Sequence, residues 1–238
     1  CPKCSKYPLI NVKAFSNTTG DLQGFTGFSS GLNAIILSFR GSSNIANWII
    51  NLSFNQVAYS RCTNCKVHNG FQVGYNTVKA SVISQIQALR ALHRDAKIYI
   101  TGHSLGGAIA VLAAPDVKDS FGSLIEVLTF GQPRVGNTEF ANWYSGQFTN
   151  ERVVHYGDIV PHIPPQANGF LHGGVEIWYD KAMQTYKTCQ GDSTGCSNSL
   201  PATSLNTGDH SMDIYITLKV GSTWLQTFNN FMSFMGNL

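Results

Sequence analysis

A serine flanked by glycines is the strongest chemical signal in the sequence. Residues 98–107 read IYITGHSLGG, which places Gly102 and Gly106 two residues before and after Ser104. An apolar run precedes this pattern and an alanine-rich stretch follows it, which predicts a sharp turn from a strand into a helix with Ser104 at its tip. A Cβ at either glycine would meet the neighbouring strand and helix. The pattern indicates a nucleophilic serine, the alternative being a glycine-rich turn capped by a serine.

A serine hydroxyl is a poor nucleophile at neutral pH, so it needs a histidine base and an acid that orients the base. For this type of turn the chain order is Ser, Asp or Glu, His. Asp158 lies two residues beyond the predicted strand 152–156 (RVVHY), and active sites of parallel sheets gather at the carboxyl ends of strands. His210 follows in the polar loop TGDHS. We predict Ser104 as nucleophile, His210 as base and Asp158 as orienting acid.

Other acids and histidines after Ser104 fit these roles less well. The acids occur in a hairpin region, in a cysteine loop or beside His210; the histidines occur inside a strand, close behind Asp158 or ahead of another strand. They are Asp180, Asp192, Asp209 and Asp213, and His155, His162 and His172. A turn or cap role for Asp158 and a surface or capping role for His210 remain the alternatives.

Acyl transfer also needs hydrogen-bond donors for the negative oxygen of its intermediate. The N–H of Leu105 follows the nucleophile, and a second donor is expected in the loop after an earlier strand. The apolar run 33–39 (NAIILSF) ends in Arg40-Gly41-Ser42 at that place. We predict an oxyanion hole made by Leu105 and by Ser42, which can donate its N–H and its hydroxyl.

The segment that follows Ser42 is uncharged and amphipathic. No charged residue occurs from residue 41 to residue 60, and four apolar residues recur at i, i+3, i+4 and i+7, the spacing of one helix face. They are Ile45, Trp48, Ile49 and Leu52. A core helix would have the same pattern, but attachment to an oxyanion donor favours a lid that covers the site in water and turns its apolar face to lipid on opening.

Alternating strand and helix signals surround these residues. We predict strands at residues 33–39, 97–101, 124–130, 152–156 and 175–179, and helices from Phe71 to Leu89, from Ser104 to Ala114 with Pro115 as its stop, and around residues 138–148. Strands separated by helices imply an α/β architecture, with a largely parallel sheet and helices on both faces.

Length and composition narrow the class of protein. The 238 residues fit one large domain, and 11% aromatic residues with a net charge of +3 exclude a disordered chain. With 16 Lys and Arg against 13 Asp and Glu, we expect no nucleic-acid partner. No apolar run is long enough to predict a transmembrane segment. Because the chain begins with Cys1, we expect it to be a processed or trimmed product.

Six cysteines occur as three close pairs, Cys1/Cys4, Cys62/Cys65 and Cys189/Cys196. The first two pairs are C-x-x-C, so zinc is the rival interpretation, but the chain between them is far longer than in common zinc ribbons and no histidine lies close to either pair. We expect disulfides and an oxidising compartment. The sequons at Asn17 and Asn51 are compatible with secretion.

In all these features the chain resembles the fungal-type class 3 lipases of the α/β-hydrolase superfamily. The resemblance covers most of residues 33–216. It is carried by residues 39–43 with 47–48, by 102–107, by 129–137 (TFGQPRVGN), by 158–161 with 164–165, and by 172–178 (HGGVEIW).

The resemblance implies an α/β-hydrolase fold over residues 1–238. It also implies the Ser104–Asp158–His210 triad, the oxyanion donors Ser42 and Leu105, a lid from residue 43 to about residue 58, and short disulfides within each close cysteine pair. The implied protein is a secreted serine lipase that acts on acylglycerols at a lipid/water interface. Water completes its cycle, so we expect neither metal nor cofactor, and we expect a monomer.

The chain departs from the family pattern at two places. A helix usually precedes the region that begins here at Cys1; we expect this chain to lack it, and we predict that an apolar stripe in residues 224–235 covers the surface it would occupy. Ala46 stands where some relatives have a lid arginine.

A feruloyl or other soluble-ester esterase of the same family is the first alternative function, which the apolar lid face disfavours. A non-catalytic lipid- or carbohydrate-binding relative is the second.

Overall fold

The computed structural model describes residues 8–17 and 22–217, which form an eight-stranded sheet in the order β1-β2-β3-β6-β7-β8-β9-β10. A separate ribbon pairs β4 with β5. The strands are β1 (Leu9–Ser16), β2 (Gln23–Ser29), β3 (Ala34–Phe39), β4 (Gln56–Ala58), β5 (Lys66–His68), β6 (Lys97–His103), β7 (Ile125–Phe130), β8 (Asn150–His155), β9 (Val175–Tyr179) and β10 (Tyr186–Gln190).

The centre of the sheet is parallel and its two ends are antiparallel. β3, β6, β7, β8 and β9 pair in parallel, and Phe39 lies opposite Gly102, with His103 opposite Phe130. Strands covered on both faces appear in sequence as continuous apolar runs, and every residue of β3 is buried. The predicted α/β-hydrolase fold with a mostly parallel sheet is confirmed. β1, β2 and β10 were not predicted; they pair antiparallel to their neighbours.

Helices cover both faces of this sheet. They are α1 (Ile45–Asn51), α2 (Asn69–Leu92), α3 (Leu105–Phe121), α4 (Thr138–Gln147) and α5 (Met212–Thr217). The buried residues of α2 are the apolar set that predicted it, and they share one core with α3 and α4. On the other face Tyr215 of α5 packs with Phe130 and Tyr179.

The prediction that Pro115 ends the helix after Ser104 is wrong. α3 continues to Phe121 with Pro115 inside it. A proline removes one helix hydrogen bond and normally costs about 3 kcal/mol. Every residue of α3 from Gly106 to Pro115 is buried, so packing against the sheet and α2 outweighs the local preference for a stop.

Two of the cysteine pairs are disulfides, Cys62–Cys65 and Cys189–Cys196, as predicted. Among the described residues no group of histidine, cysteine and acidic side chains could hold a metal ion. Cys1, Cys4 and the apolar stripe in residues 224–235 lie outside the described residues. In the part of the chain that the structure describes, no helix has the length and apolarity needed to cross a membrane.

A buried ion pair joins the loop after β7 to the loop after β10. Arg134 donates from Nη2 to Asp192 Oδ1 at 2.8 Å and from Nη1 to the carbonyl of Pro164 at 3.1 Å. Asp192 Oδ2 also accepts the N–H of His172 at 2.6 Å, and His172 Nε2 lies 2.8 Å from the carbonyl of Pro161. These contacts hold the segment directly after Asp158.

Electrostatics makes Asp192 an anion in this network. Burial raises the pKa of its carboxyl. His172 and the Arg134 guanidinium lower this pKa by more than burial raises it, so the folded pKa lies well below the ordinary value. A carboxyl with a lowered folded pKa contributes stability at pH above its unfolded value of about 3.9. That contribution is lost as the pH falls through the folded pKa.

We expect Asp192→Asn to lower the free energy of unfolding by about 3–5 kcal/mol at pH 7, because Arg134 would stay buried without its anionic partner. Denaturant unfolding measures the change. The difference from the wild type should shrink as the pH falls below about 4. Asp95→Asn, in an exposed turn, is the matched control and should change stability by less than about 0.5 kcal/mol. Equal losses in the two variants would contradict the role of the ion pair.

Candidate active site

Ser104 lies at the tip of the turn between β6 and α3. Its backbone is left-handed, with φ at 58°, and its side chain is buried. A Cβ on Gly102 would lie 2.2 Å from the carbonyl carbon of Gly106, and a Cβ on Gly106 would lie 2.2 Å from the carbonyl oxygen of Phe39. Only glycine fits at either position, which is the physical reason for the Gly-x-Ser-x-Gly spacing.

Asp158 and His210 are hydrogen-bonded although 52 residues separate them. His210 Nδ1 lies 2.8 Å from Asp158 Oδ2, and both side chains are buried. Because a carboxylate only accepts, Nδ1 carries the proton of a neutral His210 and leaves Nε2 as the basic nitrogen. Val160 N–H donates to Asp158 Oδ1 at 2.8 Å. The carboxylate is thus oriented by its own loop and by the histidine.

The loop that carries His210 is tied to the loop that carries Asp158. Asn206 N–H donates to the carbonyl of Gly157 at 2.9 Å, and Ile159 N–H donates to the carbonyl of Asn206 at 3.2 Å. The carboxylate of Asp209 accepts from Gly157 N–H at 3.2 Å. Main-chain bonds therefore hold the two loops together beside the histidine and acid pair.

Tyr215 is a site residue that the sequence analysis missed. Its hydroxyl donates to Asp158 Oδ2 at 2.5 Å and accepts the N–H of His155 at 3.1 Å. Burial and then Asp158 raise the pKa of Tyr215 well above its ordinary value, so the phenol stays protonated as a donor. A tyrosine between two isoleucines just after His210 was the available signal, since a buried phenol usually has a polar partner.

Two glycines allow two further segments to approach Asp158, His210 and Ser104 closely. A Cβ on Gly131 would lie 2.7 Å from Asp158 Oδ2 and 2.8 Å from the His210 ring. A Cβ on Gly41 would lie 3.1 Å from Ser104 Cβ. Ser104 Oγ and His210 Nε2 are buried without a hydrogen-bond partner among the described residues. Both reactive atoms are therefore available to each other or to a substrate.

The two predicted oxyanion donors are next to Ser104 in sequence and next to Gly41, respectively. Leu105 is the first residue of α3, so its N–H has no acceptor within the helix. Ser42 directly follows Gly41, and its hydroxyl oxygen lies 3.4 Å from both the N and the O of Asn44. The hydroxyl therefore contacts the start of the α1 segment in this conformation.

The predicted lid face lies against the body of the protein. Ile45, Trp48, Ile49 and Leu52 are all half-buried, and Trp48 stacks on Phe71 with ring centroids 6.3 Å apart. Asn44 caps α1 by accepting from Asn47 N–H at 3.1 Å. His68 contacts the carbonyl of Ser53 just beyond α1. Ile50 is on the outer side, with 79% of its surface exposed.

Several of the acids and histidines that the sequence analysis set aside have other partners. Asp192 and His172 belong to the buried ion network, and Asp180 caps the β9–β10 hairpin through Gln184 and Thr185. His155 Nδ1 lies 3.4 Å from Asp209. The link of His155 to the Asp158 carboxylate is indirect: its main-chain N–H donates to the Tyr215 hydroxyl, which donates to Asp158 Oδ2.

Comparison with known proteins finds extensive similarity. A family profile described as Lipase (class 3) matches residues 36–168. The lipase of Rhizomucor miehei is 38% identical over 203 residues, covering 82% of this chain and 56% of that protein. Secreted mono- and diacylglycerol lipase 1 of Fusarium solani is 36% identical over 182 residues, covering 76% of this chain and 54% of that protein. The chain thus spans about half the length of the curated relatives it matches.

Solved structures show the same likeness. The structure of the Rhizomucor miehei triacylglyceride lipase matches with a TM-score of 0.82 at 35% identity, covering 88% of this chain and 82% of the other. A second structure, in which a serine protease triad forms the catalytic centre of a triacylglycerol lipase, matches with a TM-score of 0.79 at 37% identity. It covers 86% of this chain and 79% of the other.

We expect Tyr215→Phe to slow covalent labelling of Ser104 by a small organophosphonate about tenfold. The variant removes a hydrogen bond to the Asp158 carboxylate, and such bonds are worth about 1.5–3 kcal/mol. Labelling followed by mass spectrometry checks the rate. Tyr179→Phe is the matched control, because the Tyr179 hydroxyl is buried without a partner among the described residues. If both variants label at the wild-type rate, the Tyr215 hydroxyl does not support the site.

Proposed function

The chain belongs to the class 3 lipase family, and from this we propose that it is a secreted serine lipase that hydrolyses acylglycerol esters. The observation that carries the proposal is the buried His210–Asp158 pair next to a serine in a strained strand-to-helix turn. Fungal relatives named as lipases, one of them secreted, support the substrate class and the localisation. The proposal takes residues 1–238 as one hydrolase domain that acts as a monomer.

The proposed mechanism is acyl transfer through Ser104. His210 Nε2 takes the hydroxyl proton as Ser104 Oγ attacks the ester carbonyl carbon, and it returns this proton to the leaving glycerol oxygen. Asp158 holds the imidazole with Nδ1–H towards itself and stabilises the imidazolium that forms. A water molecule then attacks the acyl-enzyme in the same manner. Ser104, His210 and Asp158 thus act in both halves of the reaction.

The tetrahedral intermediate carries a negative oxygen that needs donors. Leu105 N–H is at the positive end of α3, and Ser42 offers an N–H and a hydroxyl from the loop that packs against Ser104 through Gly41. Because Ser42 Oγ now contacts the start of the lid segment, we infer that it turns to the oxyanion when this segment moves. Binding of the intermediate would then be coupled to lid opening.

A lid would explain why the site is closed in water. Ser104 and His210 are 2% and 3% exposed, and the half-buried apolar face of α1 is the surface that opening would present to lipid. An uncharged apolar helix face enters a lipid interface at little electrostatic cost. The structure of a fungal lipase–inhibitor complex, 37% identical to this chain, gave a model for interfacial activation in lipases, and we propose such activation here.

We expect Ser104→Ala to lower turnover of an emulsified triacylglycerol by at least about 10⁴-fold, because no other group replaces the nucleophile. Release of fatty acid in a pH-stat measures the rate. The melting temperature should stay within a few degrees of the wild type, which separates loss of chemistry from loss of folding. Substantial turnover by a folded Ser104→Ala variant would remove Ser104 from the mechanism.

The lid predicts how the rate depends on substrate concentration. We expect the rate on a short-chain triacylglycerol to rise steeply once the concentration passes the solubility limit, because the lipid surface stabilises the exposed apolar face of α1. Initial rates on both sides of the limit test this. Smooth saturation on dissolved esters or methyl ferulate, with no rise at the emulsion, would favour a soluble-ester esterase instead.

A further inference from the structure

His103 connects the nucleophile directly to the base. It is the residue before Ser104 at the end of β6, and its ring stacks on the ring of His210. The ring centroids are 4.3 Å apart and the planes differ by 27°.

The surroundings of His103 give its ring one orientation. The side chain is 7% exposed, and Tyr215 closes another side, with ring centroids 5.3 Å apart. Its Nε2 has no hydrogen-bond partner among the described residues. The ring therefore serves mainly as a flat surface inside the site, since one of its two nitrogens makes no bond there.

We propose that His103 is a positioning residue that sets the placement of His210 relative to Ser104. The proposal rests on the serine-hydrolase function proposed above. Consecutive Cα atoms are 3.8 Å apart, so a ring on residue 103 is tied to the nucleophile by the strand backbone itself. His210, in contrast, is on a loop far along the chain. The ring stack therefore holds the His210 loop in place relative to β6.

The need for such a support follows from the unpaired reactive atoms. Ser104 Oγ and His210 Nε2 make no hydrogen bond to each other here, so their own bond does not align them before substrate arrives. The bond to Asp158 Oδ2 fixes one edge of the imidazole but leaves rotation about that bond open. A ring packed on the imidazole face restricts this rotation. A misplacement of about 1 Å between reacting groups can cost about 100-fold in rate.

A neutral ring is required beside a base that becomes a cation. Burial, and then the neighbouring His210, hold the pKa of His103 well below its ordinary value, so its ring is uncharged at neutral pH. A charged neighbour would oppose formation of the His210 imidazolium. A neutral aromatic face attracts a cation instead. Positioning and electrostatics thus favour an uncharged aromatic ring at residue 103.

Three variants separate the flat ring from its polar nitrogens. His103→Ala removes both, His103→Phe keeps a flat ring without polar atoms, and His103→Gln keeps a polar group without the ring. We expect His103→Ala to lower kcat on a dissolved short-chain ester about 30- to 100-fold with KM within about twofold. His103→Phe should recover kcat to within about fivefold of the wild type, and His103→Gln should recover less.

A matched control tests whether any stacked histidine matters. His93 stacks on Phe28 with ring centroids 3.5 Å apart, at the end of α2. His93→Ala should leave kcat unchanged within about twofold. If His103→Ala does not fold, the comparison of His103→Phe with His103→Gln decides: higher kcat for His103→Phe supports the proposal and the reverse order overturns it.

The remaining outcomes distinguish this proposal from the proposed function. A folded His103→Ala variant with kcat within about threefold of the wild type, or with a change confined to KM, overturns the positioning role while Ser104→Ala stays inactive. If wild-type protein hydrolyses no ester and Ser104 is not labelled by an organophosphonate, the proposed function itself has failed. Wild-type activity together with recovery by phenylalanine is the result that supports His103.

Discussion

The buried carboxylate of Asp158 is the constraint on which the site depends. An unpaired carboxylate inside a protein costs several kcal/mol, so its donors must stay in place. Three of them meet it: Val160 N–H, His210 Nδ1–H and the Tyr215 hydroxyl. Two of these donors come from the last segment that the structure describes. The need to pair one acid therefore holds the His210 loop and α5 against the carboxyl edge of β8.

Close backbone contacts hold the other side of the site. Gly102, Gly106 and Gly41 allow β6, α3 and the loop after β3 to approach within distances that no Cβ would permit. Below them the Arg134–Asp192 pair fastens the segment after Asp158 to the Cys189–Cys196 loop. Rigid packing and buried charge thus support the site, and the cover proposed for it is the half-buried apolar face of α1. Support and cover are built from different interactions.

The central strands and α2 could be predicted because their burial leaves a plain record in sequence. β3, β6, β7 and β9 are apolar runs, and the buried residues of α2 recur at helical spacing. β1 exposes most of its residues and β2 contains two glycines, so neither carries such a record. Pro115 predicted a helix end from local preference alone, and the burial of α3 overrides it.

Residue types and their chain order were sufficient to propose Ser104, Asp158 and His210, because the chemistry of acyl transfer demands these groups in known relative places. The same reasoning gave no role to Tyr215 or His103, whose relevance lies in contacts across the chain rather than in any local pattern. The tertiary structure alone decides that a phenol reaches the Asp158 carboxylate and that one imidazole lies on another. Hydrogen bonds and ring stacking act over a few ångströms, and only folding brings such distant residues within that range.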